Sequence, residues 1–403
     1  MTGSEVYFID GARTPFGRAG EKGMYWQTRA DDLVVKSMRA LIERNPEIPG
    51  DRYDDVAIAA TTQQGDQGLT LGRTSALLAG LPNSVPGLAI DRMCAGAMTA
   101  ASLMGGAIGF GQYDVAIAGG VEHMGRHPMG FNADPNPRFL SERLVDAEAL
   151  NMGNTAERLH DRFPELTKER ADHYAMRSQQ KTAAAYEAGK FDRDLVPVAI
   201  ESEAGWGLAI RDEHPRPDTS MEGLSGLKPP FRPHGKVTAG NASPLTDGAT
   251  ASILASKDAV KELGLKPRMR LVSFGFAGVQ PEVMGLGPVP STERALKRAG
   301  LKIDDIGLFE LNEAFAVQVL SFLDHFGIAD DDPSVNPYGG AIAIGHPLAA
   351  SGVRLMMQLA NQFEEHPEVR YGVTAMCVGL GQGGTMIWEN PNWNRKKHAR
   401  AGK

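Results

Sequence analysis

Two cysteines stand in this 403-residue chain, Cys94 and Cys377, and each lies where an apolar run meets glycine. Cys94 sits in Asp91-Arg92-Met93-Cys94-Ala95-Gly96-Ala97, after an apolar run at 87–90 and before a small-residue stretch that reads as a helix to Ile108. A strand-to-helix turn there would present the sulfur at a helix N-terminus. Backbone N–H groups and the helix dipole would then favour thiolate and lower the pKa from about 8.5. A buried, inert thiol is the competing reading. Cys377 ends a second apolar run, 371–376, and opens Val378-Gly379-Leu380-Gly381-Gln382-Gly383-Gly384. Glycines at Gly379 and beyond let backbone N–H groups approach a reacting oxygen, as an oxyanion hole requires, although a tight packing turn uses the same residues.

His346 lies in Gly339-Gly340-Ala341-Ile342-Ala343-Ile344-Gly345-His346-Pro347. Such a loop can hold an imidazole to take a thiol proton or to donate to a developing enolate; a structural loop histidine is the alternative. Asn312 opens Asn312-Glu313-Ala314-Phe315-Ala316, directly after an apolar run at 306–311. Its amide could cap a helix or hold a water at the strand edge where α/β folds collect ligands.

The elements that must bring these four together read as α/β. Apolar runs at 6–9, 56–60, 87–90 and 115–118 alternate with helical patterns such as 32–44. Runs at 271–274, 306–311 and 373–376 repeat the scheme, separated by helical stretches 291–299 and 351–363. The segment 32–44 leading to 53–60 parallels 292–298 leading to 304–311, and 113–120 parallels 371–379, so the chain reads as a duplicated unit. Between the halves, 123–243 is richer in Pro, Met and charge; its clearest helix is 168–188, with Thr167 as cap and Gly189 as stop. The broken stretch 193–236 is a candidate substrate cover.

Bulk composition narrows the function classes. A net charge of −7 with 23% charged residues argues against a nucleic-acid surface, and 42% hydrophobic content can fill two or three domains. Two cysteines cannot build a disulfide scaffold, and no signal pattern opens the chain, which predicts a soluble protein in a reducing, cytoplasmic setting. Neither cysteine belongs to a Cys-x-x-Cys pair, which disfavours a redox dithiol. The basic tail 394–403 reads as a solvated terminus and does not end in Ser-Lys-Leu.

Taken together the segments resemble the thiolase family over nearly the whole chain. Ala12-Arg13-Thr14-Pro15-Phe16-Gly17 is similar to the family's first-strand loop, and Met93-Cys94-Ala95-Gly96 to its nucleophile turn. The Asn312, Gly339–His346 and Cys377 segments are similar to its three later signatures. The resemblance implies duplicated βαβαβαββ halves in five layers, α-β-α-β-α, with an inserted loop domain. The halves would be 1–122, completed by about 244–270, and 271–403; the loop domain, 123–243, would cover the site and bind CoA.

It also implies roles. Cys94 would accept the acyl group, His346 would activate it, and Cys377 would protonate the departing acetyl-CoA carbanion and deprotonate incoming CoA. His346 and a water on Asn312 would form one oxyanion hole; backbone N–H groups of Cys94 and Gly379 would form the other. Arg216, Phe231, Ala239, Ser243 and Met152 match the family's CoA contacts. CoA and acyl-CoA would be substrates, with no metal or bound redox cofactor.

Val121-Glu122-His123-Met124-Gly125 and Met284-Gly285-Leu286-Gly287-Pro288-Val289-Pro290 look most like degradative 3-ketoacyl-CoA thiolase subunits of fatty-acid β-oxidation. That resemblance implies ping-pong thiolysis, a homodimer or dimer of dimers, and a partner carrying hydratase and 3-hydroxyacyl-CoA dehydrogenase activities. Ala95 and Ala349 stand where family members often have Ser or Gly. The alternatives are a biosynthetic acetoacetyl-CoA thiolase and a non-catalytic lipid or CoA carrier. A ketoacyl-synthase type would show a Cys-His-His pattern, against which Cys377 and Asn312 argue.

Overall fold

The computed structural model describes residues 3–202 and 205–393. The tail 394–403 read above as a solvated terminus lies outside them. Nine strands carry the architecture: β1 Val6–Arg13, β2 Asp55–Ala59, β3 Leu88–Ile90, β4 Val115–His123, β5 Thr246–Ser256, β6 Met269–Gly278, β7 Ile306–Leu311, β8 Tyr371–Val378 and β9 Gln382–Glu389. The helices that matter for the site are α1 Ala30–Arg44, α2 Leu71–Ala79, α3 Gly96–Gly109, α4 Met152–Arg162, α5 Lys168–Glu187, α6 Pro288–Ala299, α7 Ala316–Phe326 and α8 Ser351–Glu365.

The duplication is written in the strand order. The N-terminal half runs β3-β2-β4-β5-β1, and the C-terminal half runs β7-β8-β9-β6. In each, the last strand in sequence is inserted antiparallel between two others: β5 pairs β1 and β4, and β9 pairs β6 and β8. The counterpart of β3 is reduced to one parallel bridge, Phe309 to Val335. The halves join where β1 meets β6 over two residue pairs, Tyr7 with Arg270 and Phe8 with Met269.

The three largest buried clusters lie between and outside the two half-sheets. One places α1 and α2 on the N-terminal sheet through Leu33, Val34, Met38 and Leu71. Another places α6 and α7, with α4 and α5 of the insert, on the C-terminal sheet through Ala295, Leu320, Leu159 and Tyr174. The central cluster takes Met98 and Met104 from α3, Leu355 and Met356 from α8, and residues of both sheets such as Leu254 and Trp388. Helix α8 is buried on every side from Ser351 to Phe363, as a helix sandwiched between sheets must be.

Small residues set how closely this central layer packs. A Cβ on Gly352 of α8 would lie 2.5 Å from the Met98 nitrogen of α3, and one on Gly96 would lie 2.6 Å from Ala59 Cβ. A Cβ on Gly120 would lie 2.3 Å from the Ala349 carbonyl. No larger side chain fits, so the N-terminal ends of α3 and α8 are drawn together. Those ends carry Cys94 and, just upstream of α8, His346.

Boundaries differ modestly from the sequence reading. Thr167 caps α5 as expected, its hydroxyl accepting from the Arg170 N–H. Strand β4 runs on to His123, further than 115–118, because its glycines and polar residues are enclosed by neighbours on both sides. The two antiparallel inserts β5 and β9 do not stand out in the sequence pattern. The first mixes Thr, Asp, Gly and Ser with apolar residues and the second mixes Gln, Gly, Thr and Glu, so both lack a long apolar run.

Candidate active site

Cys94 sits in a 3-10 turn, Met93–Ala95, that feeds directly into α3. Met93 holds a left-handed φ of 43°, and its N–H is tied to Asp91 Oδ1 at 2.6 Å. A non-glycine residue with that φ stores local strain, here in the residue that aims the cysteine. Cys94 is 8% exposed. The backbone N–H groups of Gly379 and of Cys94 itself lie close enough to its sulfur to favour the charged form. The loop after β8 thus reaches across from the other half to the first cysteine.

That loop is shaped by left-handed residues: Leu380 at φ 59° and Gly381 at φ 76°. A Cβ on Gly381 would lie 2.3 Å from the Val279 carbonyl. A Cβ on Gly379 would lie 2.5 Å from Met93 Sδ and 3.5 Å from Met152 Sδ. Both methionines therefore line the slot beside the Gly379 N–H. Cys377 stands one residue before the end of β8, wholly buried and close enough to Cys94 that each thiolate would oppose the other.

The expected lowering of the Cys94 pKa does not occur. Burial pushes the thiol up to about 12, and the negative charges of Glu122 and Asp91 add to it, outweighing the two N–H donors. Burial likewise raises Cys377 well above the ordinary thiol range, with Cys94 adding. His346 moves the other way, to about 3, through burial first and the Arg354 charge second. The resting site holds two thiols and a neutral imidazole.

His346 is clamped from three directions. Its backbone N–H donates to Thr246 Oγ1 at 3.0 Å, its Nδ1 lies 2.6 Å from Ser351 Oγ, and its Nε2 lies 3.3 Å from Asn312 Nδ2. Arg354 donates to Asn312 Oδ1 at 3.0 Å. A guanidinium can only donate, so the oxygen end of the Asn312 amide is the end facing it, and the NH2 end faces His346. Nε2 then accepts, and Nδ1 carries the proton that it donates to Ser351.

Asn312 caps no helix. Helix α7 begins at Ala316 with Phe315 as its cap, so the capping reading falls away. The amide is instead wholly buried, and its backbone N–H donates to the Ala375 carbonyl of β8 at 2.9 Å.

Two buried carboxylates hold these loops. Glu313 accepts from Tyr174 OH at 2.9 Å, Ser178 OH at 2.6 Å, Asn336 Nδ2 at 2.9 Å and the Ile342 N–H at 3.1 Å, pinning the stretch that leads to His346. Glu122 accepts from the Thr61 N–H at 3.1 Å, Gln67 Nε2 at 3.0 Å and the Ala349 N–H at 3.3 Å. The turn Leu348–Ala350 is thereby held against Gly96.

Of the five CoA candidates, three border this centre. Met152 flanks Gly379, Phe231 packs where a Cβ on Gly153 would lie 2.2 Å from its ring, and the Ser243 N–H donates to the Ala314 carbonyl at 2.9 Å. Ala239 is exposed on the same loop, and Arg216 is exposed, its backbone N–H bound to Gln179 at 2.8 Å. Among the described residues no group of three or more His, Cys, Asp or Glu converges as a metal site needs, and no helix is long and apolar enough to cross a membrane.

Sequence reasoning did not single out Ser351, Thr246, Glu313 or Arg354. Arg354 left one signal: it is the lone charge in an otherwise uncharged stretch of α8, with Gln358 and Gln362 following at intervals of four.

A cysteine beside two backbone N–H groups, a second buried thiol and a neutral histidine clamped to an amide form an arrangement able to carry acyl transfer, built between two repeated half-folds. Residues 6–258 match the family described as thiolase, N-terminal domain, and residues 265–390 match thiolase, C-terminal domain. The chain therefore belongs to the thiolase family of acyltransferases. It is 43% identical over 401 residues to the 3-oxoadipyl-CoA/3-oxo-5,6-dehydrosuberyl-CoA thiolase of Escherichia coli (strain K12), covering 96% of this chain and 99% of that one. It is 43% identical over 389 residues to a 3-ketoacyl-CoA thiolase of Photobacterium profundum, covering 96% and 99%. The crystal structure of human mitochondrial 3-ketoacyl-CoA thiolase superposes with a TM-score of 0.87 at 34% identity, covering 96% and 99%.

Proposed function

We propose that this thiolase cleaves 3-ketoacyl-CoA with CoA, yielding acetyl-CoA and an acyl-CoA shortened by two carbons, through an acyl-Cys94 intermediate. The observation that carries the reading is the approach of the Cys94 and Gly379 N–H groups to the Cys94 sulfur, with the His346–Asn312 pair leading into the turn that packs on Gly96. Cys94 Sγ attacks the keto carbon as His346 Nε2 takes its proton. The C2–C3 bond breaks, and its electron pair passes into the acetyl-CoA enolate. Cys377, kept protonated by burial, gives its proton to C2. The Cys377 thiolate then takes the proton of incoming CoA, whose sulfur attacks the thioester carbonyl, and Cys94 leaves as its sulfur takes back the proton held by His346.

Two oxygens become charged at different places, which calls for two holes: one from the Cys94 and Gly379 N–H groups, one from His346 and Asn312. The high thiol and low imidazole values mean that proton transfer costs least when attack and oxyanion formation proceed together. A preformed ion pair is not needed. Met152, Phe231, Ala239, Ser243 and Arg216 are assigned to CoA, with the exposed Arg216 guanidinium suited to a phosphate.

The acyl group has two readings. A fatty 3-ketoacyl-CoA accords with a β-oxidation role, a homo-oligomer and a hydratase/dehydrogenase partner. The relative named for 3-oxoadipyl-CoA favours a 3-oxo dicarboxylyl-CoA as the second. Thiolysis rates across saturated 3-ketoacyl-CoA lengths and 3-oxoadipyl-CoA separate them, and co-purification from the native host tests the partner. Acyl-CoA is expected to label Cys94 covalently; full thiolysis by Cys94→Ala would refute the mechanism.

A further inference from the structure

Arg354 lies outside every segment that carries the chemistry, yet it is fully buried on α8 one turn beyond Ser351. Its guanidinium donates to Gln358 Oε1 on its own helix and, at 3.0 Å, to Asn312 Oδ1 on the loop after β7. Glu310 of β7 approaches it only to 3.8 Å and is held instead by Gln362 Nε2 at 2.6 Å. The firmest polar contact that Arg354 makes outside its own helix is therefore the one to Asn312.

The two ends of a side-chain amide have nearly the same shape and opposite hydrogen-bonding character. If nothing but His346 faced Asn312, either end could be presented. A flipped amide would turn its carbonyl oxygen toward His346 and toward the enolate oxygen, where negative charge develops. An arginine at the far end removes that freedom, since no atom of a guanidinium accepts. Gln358 in turn fixes the guanidinium plane.

We propose that Arg354 is a positioning residue for carbon–carbon bond cleavage, locking the Asn312 amide so that its NH2 group faces His346 and the enolate oxygen. The inference rests on the role assigned to Asn312 above. Ser351, whose hydroxyl donates to the Pro347 carbonyl, still accepts from Nδ1 of His346 and keeps Nε2 free to take the Cys94 proton, so Arg354 should matter to enolate chemistry far more than to acyl transfer at the other hole.

Two partial reactions distinguish these. Acetylation of Cys94 by labelled acetyl-CoA uses the Cys94 and Gly379 N–H groups, whereas deuterium uptake from D2O into the acetyl-CoA methyl needs the enolate. Loss of one oxyanion donor costs about 10²–10³-fold, so an amide free to flip is expected to slow exchange by about 10- to 100-fold. Arg354→Met should show that loss with Cys94 acetylation and the KM for acetyl-CoA within about threefold. Arg354→Lys, which keeps a donor, should recover much of the exchange.

Normal exchange in Arg354→Met overturns the proposal, as does an equal fall in both reactions, the signature of a packing role. Should Arg354→Met not fold, Arg354→Lys carries the test alone, and an equal effect on both reactions or none overturns the proposal. Asn312→Ala separates the layers. Unimpaired exchange there refutes the Asn312 assignment itself, while slowed exchange there with normal exchange in the Arg354 variants refutes the positioning role only.

Discussion

Replacing Ser351 by alanine removes one oxygen and tests the geometry around His346. The hydroxyl is fully buried and lies 2.6 Å from His346 Nδ1. Its loss strands a buried N–H without its partner, at a cost of about 1–2 kcal/mol. The imidazole can avoid that cost by moving its proton to Nε2, where it would face Asn312 Nδ2, 3.3 Å away and itself a donor. Either outcome weakens His346 as the acceptor of the Cys94 proton by about 5- to 30-fold.

The Arg354–Asn312 clamp survives in this variant, so the loss should fall short of complete inactivation. We expect kcat for thiolysis to drop by that factor with KM nearly unchanged, and Cys94 alkylation by iodoacetamide to slow in parallel. Ser351→Thr, which retains a hydroxyl, should keep most of the activity if the added methyl is accommodated. Nitrogen NMR of the imidazole reads the tautomer directly. If Ser351→Ala alkylates and turns over at the wild-type rate with Nδ1 still protonated, the reasoning about tautomer control is wrong.

Gly379→Ala should leave the fold intact, because its new methyl meets the flexible Met93 and Met152 sulfurs at 2.5 and 3.5 Å, while kcat falls about 10- to 100-fold as the N–H above Cys94 is displaced; steady-state kinetics beside a melting curve check both. Gly72→Ala should act oppositely, unfolding the edge of the N-terminal sheet by about 3 kcal/mol or more, since its Cβ would lie 2.2 and 2.3 Å from the Leu88 and Val56 carbonyls; denaturant titration measures this. Burial holds Glu310 up to about 8 and Asp247 up to about 7, above ordinary values of 4.5 and 3.8. Both bind a proton more tightly folded than unfolded, so their contribution is present at low pH and is lost as pH rises through those values. Below about pH 6.5 the depressed His346 works in the opposite sense, so the fall should show between about pH 6.5 and 8, with a slope of up to roughly 1.4 kcal/mol per pH unit per group, and Glu310→Gln should flatten the upper part of that slope.

Much of the site was legible in the chain because its residues are punctuated by glycine. Cys94, Cys377 and His346 each sit beside turns that only small residues allow, and the alternation of apolar runs with helical periods marked two similar halves. The strand Ile306–Leu311 matches its apolar run to the residue. Harder to see were β5 and β9, because strands enclosed on both faces by other layers accept Thr and Ser when neighbours satisfy them. Thr250 Oγ1, for example, donates to the Ala350 carbonyl at 2.8 Å, and Ser252 Oγ to the Ala118 carbonyl at 2.8 Å.

By itself the sequence nominated the groups that could do the chemistry, and its resemblance to thiolases implied a nucleophile in Cys94 and a proton carrier in Cys377. It pointed the wrong way on the ionisation of Cys94. A helix N-terminus predicts a lowered thiol pKa, but that argument holds only while the sulfur sees solvent. Tertiary structure decided otherwise by enclosing Cys94 between two sheets, where desolvation exceeds what two N–H groups return. It also decided the partner of Asn312, since Arg354 reaches the amide only when α8 is threaded between the halves. Local spacing can nominate a nucleophile; the cost of charging it depends on everything packed around it.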